Sequence, residues 1–309
     1  MAIVIIRSDD KIGEWKDALS KAAPHIPIYS FLEDHPKEDI TMALVWKHPV
    51  GAIQGYPNLR CIAGSGAGVD FLFEDETAPL HLPITRVVDD MLAKDMSEHV
   101  LALFLAYLKN LYHYKVDQFN GVWRTIPYKR ITDCRVGILG LGALGTVLAK
   151  DLVNLGCEVQ GWSSSPKTIG GVQSFSGVKE LPGFLAASQV LVCLLPLTKD
   201  TLGILNTPFF ELLPKGAFVI NVARGGHMVD QDLLDMLDAG HLSGAALDVY
   251  HEEPLPAQHP FWNHPKIHMT PHYASVSDTQ SVVPQIVENY RRLRTGEPLL
   301  HLVSKDRGY

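Results

Sequence analysis

The sequence contains little cysteine and no pair of cysteines at the spacing of a metal or redox motif. Only four cysteines occur in 309 residues, namely Cys61, Cys134, Cys157 and Cys193. Because they are far apart and mostly embedded in apolar stretches, we expect reduced, mostly buried thiols and no disulfide framework. No spacing of cysteine or histidine suggests a bound metal. This cysteine usage favours a cytoplasmic protein over a disulfide-stabilised secreted domain.

An excess of positive charge is also absent. The chain has 27 basic and 34 acidic residues and a net charge of −7, so it lacks the basic cluster that a nucleic-acid surface normally shows. No apolar run approaches the length of a membrane span, and the apolar segment at Met1–Ile6 is too short for a signal peptide. We therefore expect neither nucleic acid nor a membrane among the partners.

The sequence does have a regular alternation of strand-like and helix-like segments. Apolar residues make up 46% of the chain, and its length permits two domains of ordinary size. Continuously apolar strands between helices predict an α/β fold whose parallel sheets are covered on both faces. In the first part of the chain the expected strands are Ala2–Ile6, Ile26–Phe31, Met42–Trp46, Leu59–Ala63 and Ile84–Val87, with helices at Gly13–Ala22 and Ala93–Lys115.

A glycine-rich turn follows a predicted strand in the middle of the chain. The strand Arg135–Leu139 leads into Gly140-x-Gly142-x-x-Gly145 and then into a helix. The first glycine permits a tight turn, the second lets the backbone approach a pyrophosphate, and the third lets helix and strand pack closely. Unpaired N–H groups at the helix N-terminus, which includes Ala143 and Leu144, favour a diphosphate. The pattern predicts a dinucleotide-binding turn, with a glycine turn of another α/β protein as the alternative.

The second half of the chain continues the same alternation. The expected strands are Glu158–Trp162, Val190–Leu195, Ala217–Val222, Gly244–Val249 and Ile267–Met269, and the expected helices include Pro208–Leu213, Gln231–Ala239 and Asp278–Arg294. The last helix is long enough to return to the first domain. We therefore predict a dinucleotide-binding domain, residues 99–279, inserted in a substrate domain formed by residues 1–98 and 280–309. Both domains are expected to be Rossmann-like or flavodoxin-like, with parallel sheets.

Three polar motifs each follow a predicted strand of the second domain. They occupy Asn221–Gly225, Asp248–Leu255 and Thr270–Ser275, and the carboxyl ends of parallel strands face the same crevice. One arginine, one acid and one histidine would meet there. The arginine can hold a carboxylate and polarise a carbonyl, the histidine can supply a proton near neutral pH, and the acid can fix the histidine tautomer. This combination predicts hydride transfer to a 2-keto acid.

The residues after the second strand of the dinucleotide domain bear on the choice of nicotinamide cofactor. An NAD site usually has an acid at the end of that strand to bind the ribose hydroxyls, whereas here the strand is followed by Ser163, Ser164 and, further on, Lys167. Serine hydroxyls and a lysine suit a 2′-phosphate, and no acid repels it. We therefore favour NADPH, with NADH possible.

With these motifs in place, the chain resembles the D-isomer-specific 2-hydroxyacid dehydrogenases over nearly its whole length. The stretches Ala43–Pro49, Gly64–Asp70 and Arg307–Tyr309 are most similar to the glyoxylate/hydroxypyruvate reductase A subgroup. The resemblance implies NADPH-dependent reduction of small 2-keto acids, glyoxylate to glycolate and hydroxypyruvate to D-glycerate. It also implies a homodimer formed through the dinucleotide domain. The alternatives are a nucleotide-sensing, corepressor-like binding protein or another D-2-hydroxyacid dehydrogenase, such as a phosphoglycerate or formate dehydrogenase.

The resemblance assigns roles to individual residues. The family's arginine, glutamate and histidine match Arg224, Glu253 and His272, and Glu253 is preferred to Glu252 because the family acid directly precedes the proline. Arg224 would also bind the substrate. The other residues implied at the substrate are Ala67 and Gly68, through their backbone N–H groups, and those implied at the cofactor are Leu195, Pro196, Ala223 and Asp248.

Three further side chains stay open between a site and a structural role. For Trp46, which ends a predicted strand, a place in the substrate pocket and ordinary core packing are equally weighted. For Met96 and Glu98, near the start of the long helix, the structural interpretation is favoured.

Overall fold

A computed structural model describes all 309 residues. The chain divides into two compact units, one formed by Met1–Leu92 with Val276–Tyr309 and the other by Ala93–Ser275. The chain enters the second unit after Leu92 and leaves it after Ser275. Both points lie a few residues earlier than in the division expected from the sequence. No helix is both long and apolar enough to cross a membrane.

The units contain twelve strands in all. They are β1 Ala2–Arg7, β2 Ile28–Ser30, β3 Ile40–Trp46, β4 Cys61–Gly64, β5 Ile84–Thr85, β6 Arg135–Leu139, β7 Glu158–Ser163, β8 Val172–Ser176, β9 Val190–Cys193, β10 Ala217–Asn221, β11 Leu242–Leu247 and β12 Ile267–Met269. The nine α-helices are α1 Ile12–Ala22, α2 Asp70–Glu74, α3 Asp90–Leu108, α4 Leu111–Phe119, α5 Ala143–Asn154, α6 Gly177–Ala187, α7 Thr207–Phe210, α8 Asp230–Asp238 and α9 Thr279–Thr295.

The first unit is built on a five-stranded parallel sheet in the order β2-β1-β3-β4-β5. This is the flavodoxin-like order. Every residue of β1 is buried, which is expected of a strand covered on both faces. Helices α1 and α9 pack together and bury apolar side chains that include Trp15, Leu19, Ile286 and Tyr290. The Tyr290 hydroxyl also donates to the Met1 carbonyl over 2.7 Å.

The second unit is built on a seven-stranded parallel sheet in the order β12-β11-β10-β9-β6-β7-β8. Counted from β6, this is the Rossmann order with one added strand, and it reverses direction between β6 and β9. One face is covered by apolar residues of α3 and α5, such as Phe104 and Leu148. The other is covered by residues of α6 and α8, such as Phe184 and Leu233. The predicted fold class is confirmed.

The long helix predicted for Ala93–Lys115 is wrong in one respect, because two helices occupy this segment. Helix α3 ends at Leu108 and α4 begins at Leu111, with Asn110 between them at φ +56°. Asparagine tolerates this left-handed conformation better than most residues. Its side-chain amide also donates to the Pro127 carbonyl over 3.0 Å. The apolar periodicity continues across the break and therefore concealed it.

Candidate active site

The glycine turn joins β6 to α5 at the carboxyl end of the sheet. Gly140 has φ +103°, and a Cβ atom there would lie 2.6 Å from the Leu194 carbonyl oxygen. A Cβ on Gly145 would lie 1.9 Å from the Gly140 carbonyl oxygen, so neither position accepts a side chain. Gly142 instead faces open space. Gly140 and Gly145 are thus tightly packed against backbone, whereas the space beside Gly142 is open. This leaves room for a ligand at the helix N-terminus.

The backbone that follows the turn is accessible to a ligand. Gly142 and Ala143 are exposed and Leu144 is half-buried. Because the first N–H groups of a helix have no partner within it, they are available to a phosphate group. The predicted pyrophosphate contacts are therefore compatible with this geometry.

The serine-rich loop after β7 has both buried and exposed members. Ser163 is 7% exposed, and its hydroxyl donates to the Ser165 carbonyl over 2.7 Å. Ser164 and Lys167 are exposed, and the Lys167 backbone N–H donates to the Ser174 hydroxyl over 3.0 Å. Ser163 thus supports the loop, and Ser164 and Lys167 are among its exposed residues.

Arg224 lies three residues beyond β10 in a loop braced by polar contacts. The Asn221 amide donates to the Arg224 carbonyl over 3.0 Å, and the same side chain accepts the Ala223 N–H over 3.2 Å. The ring of the fully buried His227 places Nδ1 3.1 Å from the Arg224 carbonyl oxygen and Nε2 3.2 Å from that of Pro196. Arg224 itself is half-buried. The loop after β10 is therefore fixed to the loop after β9, which contains Leu195 and Pro196.

Gly225 brings the loop after β10 against the loop after β11. A Cβ atom on Gly225 would lie 2.0 Å from the Tyr250 carbonyl carbon, so only glycine permits this approach. The Tyr250 hydroxyl lies 2.9 Å from the Leu247 carbonyl oxygen and 3.0 Å from that of Thr270. Burial raises the pKa of Tyr250, so the hydroxyl remains a donor. Tyr250 thereby links the loops that follow β11 and β12.

Glu253 and His272 form a direct pair at the ends of β11 and β12. Glu253 Oε2 accepts a hydrogen bond from His272 Nδ1 over 2.7 Å, and Glu253 Oε1 accepts the Tyr250 N–H over 3.1 Å. Glu252, the neighbouring acid, is exposed. With Nδ1–H directed at the carboxylate, the Nε2 atom of His272 is left to act on a ligand.

Asp248 holds the backbone on the far side of His272. Its Oδ1 accepts the Tyr273 N–H over 3.0 Å and its Oδ2 accepts the Ala274 N–H over 2.9 Å. The Thr270 hydroxyl donates to Oδ1 over 2.6 Å. His272 has φ +53°, a conformation that costs free energy in a residue with a Cβ. The carboxylate of Asp248, which is 1% exposed, stabilises the segment that contains it.

The Thr270 hydroxyl also connects this segment to α3. Because its proton is directed to Asp248, its oxygen is an acceptor, and His99 Nε2 lies 3.3 Å from it. His99 thus donates from Nε2. No local sequence pattern pointed to His99, His227 or Tyr250, since their partners lie in other loops. The Asn221 side chain could have been suspected, because asparagine commonly bonds the backbone two residues on.

The predicted substrate residues of the first unit lie at the ends of β3 and β4. Trp46 ends β3, is half-buried and contacts Phe71 edge to face at 5.6 Å between ring centroids. Ala67 and Gly68 belong to the turn after β4 and are half-buried. Each of the three thus has part of its surface accessible.

Met96 and Glu98 differ in their surroundings. Met96 is 7% exposed and packs in the core of the second unit, which agrees with the structural interpretation, and Glu98 is exposed. All four cysteines are free and buried, as expected. Burial raises the pKa of Cys61 and of Cys193 to about 12. No group of three or more His, Cys, Asp and Glu side chains could hold a metal ion.

Comparison with known proteins places this site in a family. Residues 101–274 match the profile described as D-isomer specific 2-hydroxyacid dehydrogenase, NAD binding domain. The chain is 38% identical over 303 residues to glyoxylate/hydroxypyruvate reductase A from Serratia proteamaculans, which covers 96% of each chain. The protein therefore belongs to the D-isomer specific 2-hydroxyacid dehydrogenase family, as its motifs predicted.

Solved structures of similar proteins agree over the whole chain. One is a D-isomer specific 2-hydroxyacid dehydrogenase from Xanthobacter autotrophicus Py2 in complex with NADPH and MES, with a TM-score of 0.95 and 38% identity over 100% of this chain and 99% of that one. Another is the NADPH-dependent glyoxylate/hydroxypyruvate reductase from Sinorhizobium meliloti in complex with NADP and sulfate, with a TM-score of 0.93 and 34% identity over the same shares.

Proposed function

We propose that the protein is an NADPH-dependent reductase of small 2-keto acids, converting glyoxylate to glycolate and hydroxypyruvate to D-glycerate. The observation that carries the proposal is the 2.7 Å contact between His272 Nδ1 and Glu253 Oε2. This pair sits one strand end away from Arg224, on the sheet that also holds the glycine turn. The similar proteins from Serratia and Sinorhizobium are described as glyoxylate/hydroxypyruvate reductases.

The residues of the turn fit a dinucleotide. Gly140 and Gly145 have no room for a Cβ atom and so permit the tight turn, and Gly142 faces open space in which a ligand can lie. We assign the pyrophosphate to the backbone of Gly142, Ala143 and Leu144. Leu195, Pro196, Ala223 and Asp248 are proposed to complete the cofactor site. When bound, the nicotinamide supplies the hydride.

Three side chains are proposed to carry the chemistry on the substrate. Arg224 binds the carboxylate and polarises the keto group with its paired donors. His272 transfers a proton from Nε2 to the carbonyl oxygen as the carbon is reduced. Glu253 accepts from Nδ1–H and thereby keeps His272 in the orientation that this transfer requires.

The substrate carboxylate is proposed to bind also to the N–H groups of Ala67 and Gly68, with Trp46 beside them. A glycine-rich turn can present several N–H donors to one anion. In this assignment residues 1–92 and 276–309 form the substrate domain, and residues 93–275 form the dinucleotide-binding domain.

NADPH is proposed over NADH because the loop after β7 carries no acid. Ser164 and Lys167 are exposed there and suit a 2′-phosphate. The similar Xanthobacter protein was crystallised with NADPH and the Sinorhizobium protein with NADP.

A cytoplasmic homodimer is the proposed state of the protein. Four free, buried cysteines suit a reducing compartment. In the second unit several apolar side chains are strongly exposed, among them Phe119 at 90% and Trp123 at 99%. Exposed apolar surface of this kind commonly marks a contact with another protein chain.

The test is the loss of absorbance at the nicotinamide band with NADPH and, separately, NADH, against glyoxylate, hydroxypyruvate, pyruvate and a bulky aromatic keto acid. We expect rapid oxidation of NADPH with glyoxylate and with hydroxypyruvate. Tight NADPH binding without turnover on any keto acid would contradict the proposal and favour a nucleotide-sensing protein.

A further inference from the structure

Arg7 is a buried cation at the end of β1. It is 6% exposed and lies opposite Trp46 in the pairing of β1 with β3. Burying a charge costs free energy unless it is paired, and Asp9 provides the pairing through Nε to Oδ1 at 2.8 Å and Nη2 to Oδ2 at 2.6 Å. The hydrogen bond from Arg7 lowers the pKa of Asp9. The guanidinium also lies 5.3 Å from the centre of the Trp15 ring.

The Nη1 group of Arg7 takes no part in the ion pair and bonds to a different residue. It donates to the Ser65 hydroxyl over 2.6 Å, and Ser65 is 1% exposed. That hydroxyl in turn donates to the Val45 carbonyl over 3.3 Å, and the Ser65 backbone N–H donates to the same oxygen over 3.0 Å. Two groups therefore hold Ser65 in place, namely the charged donor Arg7 and the Val45 carbonyl of β3.

Ser65 belongs to the carboxylate turn, defined here as Gly64–Gly68. A Cβ atom on Gly66 would lie 2.3 Å from the Trp46 ring, and the Gly66 carbonyl accepts the Val87 N–H over 2.9 Å. Contacts thus fix the first three residues of the turn, whereas Ala67 and Gly68 are the half-buried ones. The placement of their N–H groups follows from the placement of Ser65 and Gly66.

We propose that Arg7 is a positioning residue for substrate binding, which acts through Ser65 on the N–H groups of Ala67 and Gly68. The inference rests on the proposed function, because it takes these N–H groups as donors to a 2-keto-acid carboxylate. A purely structural ion pair would stabilise the first unit without affecting substrate affinity. The bond from Nη1 to Ser65 is the part that distinguishes the two roles, since Asp9 takes no share in it.

The test uses Ser65→Ala, which removes the link to the turn and leaves the ion pair with Asp9 intact. We expect the KM for glyoxylate to rise about five- to tenfold, because the N–H groups of Ala67 and Gly68 lose their alignment and with it about one ordinary hydrogen bond to the carboxylate. The kcat and the KM for NADPH should stay within about twofold, as for loss of an interaction made equally in ground and transition states. Arg7→Lys, which keeps the charge but not the fork of donors, should raise the same KM.

The matched control is Ser30→Ala, another buried serine, at the end of β2, whose hydroxyl accepts the Leu32 N–H. It should leave both KM values unchanged. An unchanged KM for glyoxylate in folded Ser65→Ala would overturn the inference, and so would equal rises for glyoxylate and NADPH.

Binding of oxamate, an unreactive keto-acid analogue, provides a readout that is independent of turnover. In the presence of NADPH, tryptophan fluorescence should give a weaker affinity for Ser65→Ala than for the unaltered protein. If the unaltered protein reduced no keto acid, the proposed function would fail, and this titration would still decide the role of Arg7: equal oxamate affinities, or no oxamate binding by either protein, would overturn it.

Discussion

Among single residues, His272 is the one whose backbone and side chain are most closely held by neighbouring groups. Its φ of +53° is unfavourable for a histidine. Its Nδ1 donates to Glu253, and the backbone N–H groups of the next two residues, Tyr273 and Ala274, donate to Asp248. A side chain held in this way loses little freedom when it acts on a substrate. Strained backbone at such a position is common where the geometry of a functional group must be fixed.

Replacing His272 by alanine removes the proposed proton donor. We expect kcat to fall by about 10²- to 10⁴-fold, because proton transfer acts mainly in the transition state. The dissociation constant for NADPH should hardly change, since the glycine turn lies after a different strand. Steady-state kinetics and a fluorescence titration with NADPH check the two parts, and near-normal turnover would show that another group donates the proton.

Ser163 is the position at which an acid would occur in an NAD site. Ser163→Asp should lower the ratio of kcat/KM for NADPH to that for NADH by about tenfold or more, because a carboxylate repels the 2′-phosphate. Ser163→Ala is the control, since it removes the bond to the Ser165 carbonyl without adding charge. If the aspartate and alanine variants gave the same ratio, this loop would not discriminate between the cofactors.

The sequence could predict that charged residues meet at one edge of the sheet but not which contacts support them. Arg224, Glu253 and His272 each follow an apolar strand, and parallel strands bring such residues to one edge. The supports, such as the contacts of His227 with two carbonyl oxygens, depend on the paths of loops after different strands. No local pattern encodes those paths, so His227 and Tyr250 were not predicted.

Among the elements, the loops after β10, β11 and β12 are in direct contact with one another. Gly225 packs against the backbone of Tyr250, and the Tyr250 hydroxyl contacts the carbonyl oxygens of Leu247 and Thr270. We therefore expect movement of one loop to displace the others.

Gly225→Ala tests this coupling. The new Cβ would meet backbone atoms at 2.0 to 2.4 Å, so the loops must separate, and we expect kcat to fall by about 10²-fold because misplaced groups lose alignment. Gly226→Ala is a matched control, since its Cβ would meet only the side chains of Leu197, at 3.1 Å, and Leu202, at 3.5 Å, and both can move. Equal activity of the two variants would argue against coupled loops.

The elements that the sequence predicted are the ones with a strong apolar pattern. Strand β6 was predicted with its observed bounds, and β12 likewise. Strand β8 was not predicted, because this edge strand carries polar residues and none of its residues is fully buried. The break between α3 and α4 was missed because a single left-handed Asn110 leaves no compositional signal.

For the chain as a whole, one half-buried histidine is expected to make stability depend on pH. His268 of β12 stacks on Tyr112 of α4 at 3.5 Å between ring centroids. Burial, assisted by the nearby His113, lowers the pKa of His268 from 6.5 to about 4. Between these values the unfolded chain binds a proton that the folded chain does not, so the free energy of unfolding falls as the pH falls through this window.

We expect this loss to amount to about 2 kcal/mol, after allowance for the partial exposure of the ring. His268→Phe keeps an aromatic ring on Tyr112 and removes the titration. Urea unfolding at about pH 7.5 and about pH 4.5 should show a smaller loss of unfolding free energy in the variant than in the unaltered protein. Identical losses would assign the pH dependence to other groups.

The first unit is assembled from two distant segments of the chain, and this affects the order of events during synthesis. Residues 276–309 contribute α9, which buries Val282 and Ile286, and the Val303 N–H donates to the Ile84 carbonyl over 2.8 Å. All of the second unit leaves the ribosome before them. At a typical rate of translation, about 10 to 40 s pass between the synthesis of Leu92 and that of Val303. Throughout that interval the sheet β1–β5 presents uncovered apolar surface, which makes the nascent first unit the stage at which chaperones would be needed.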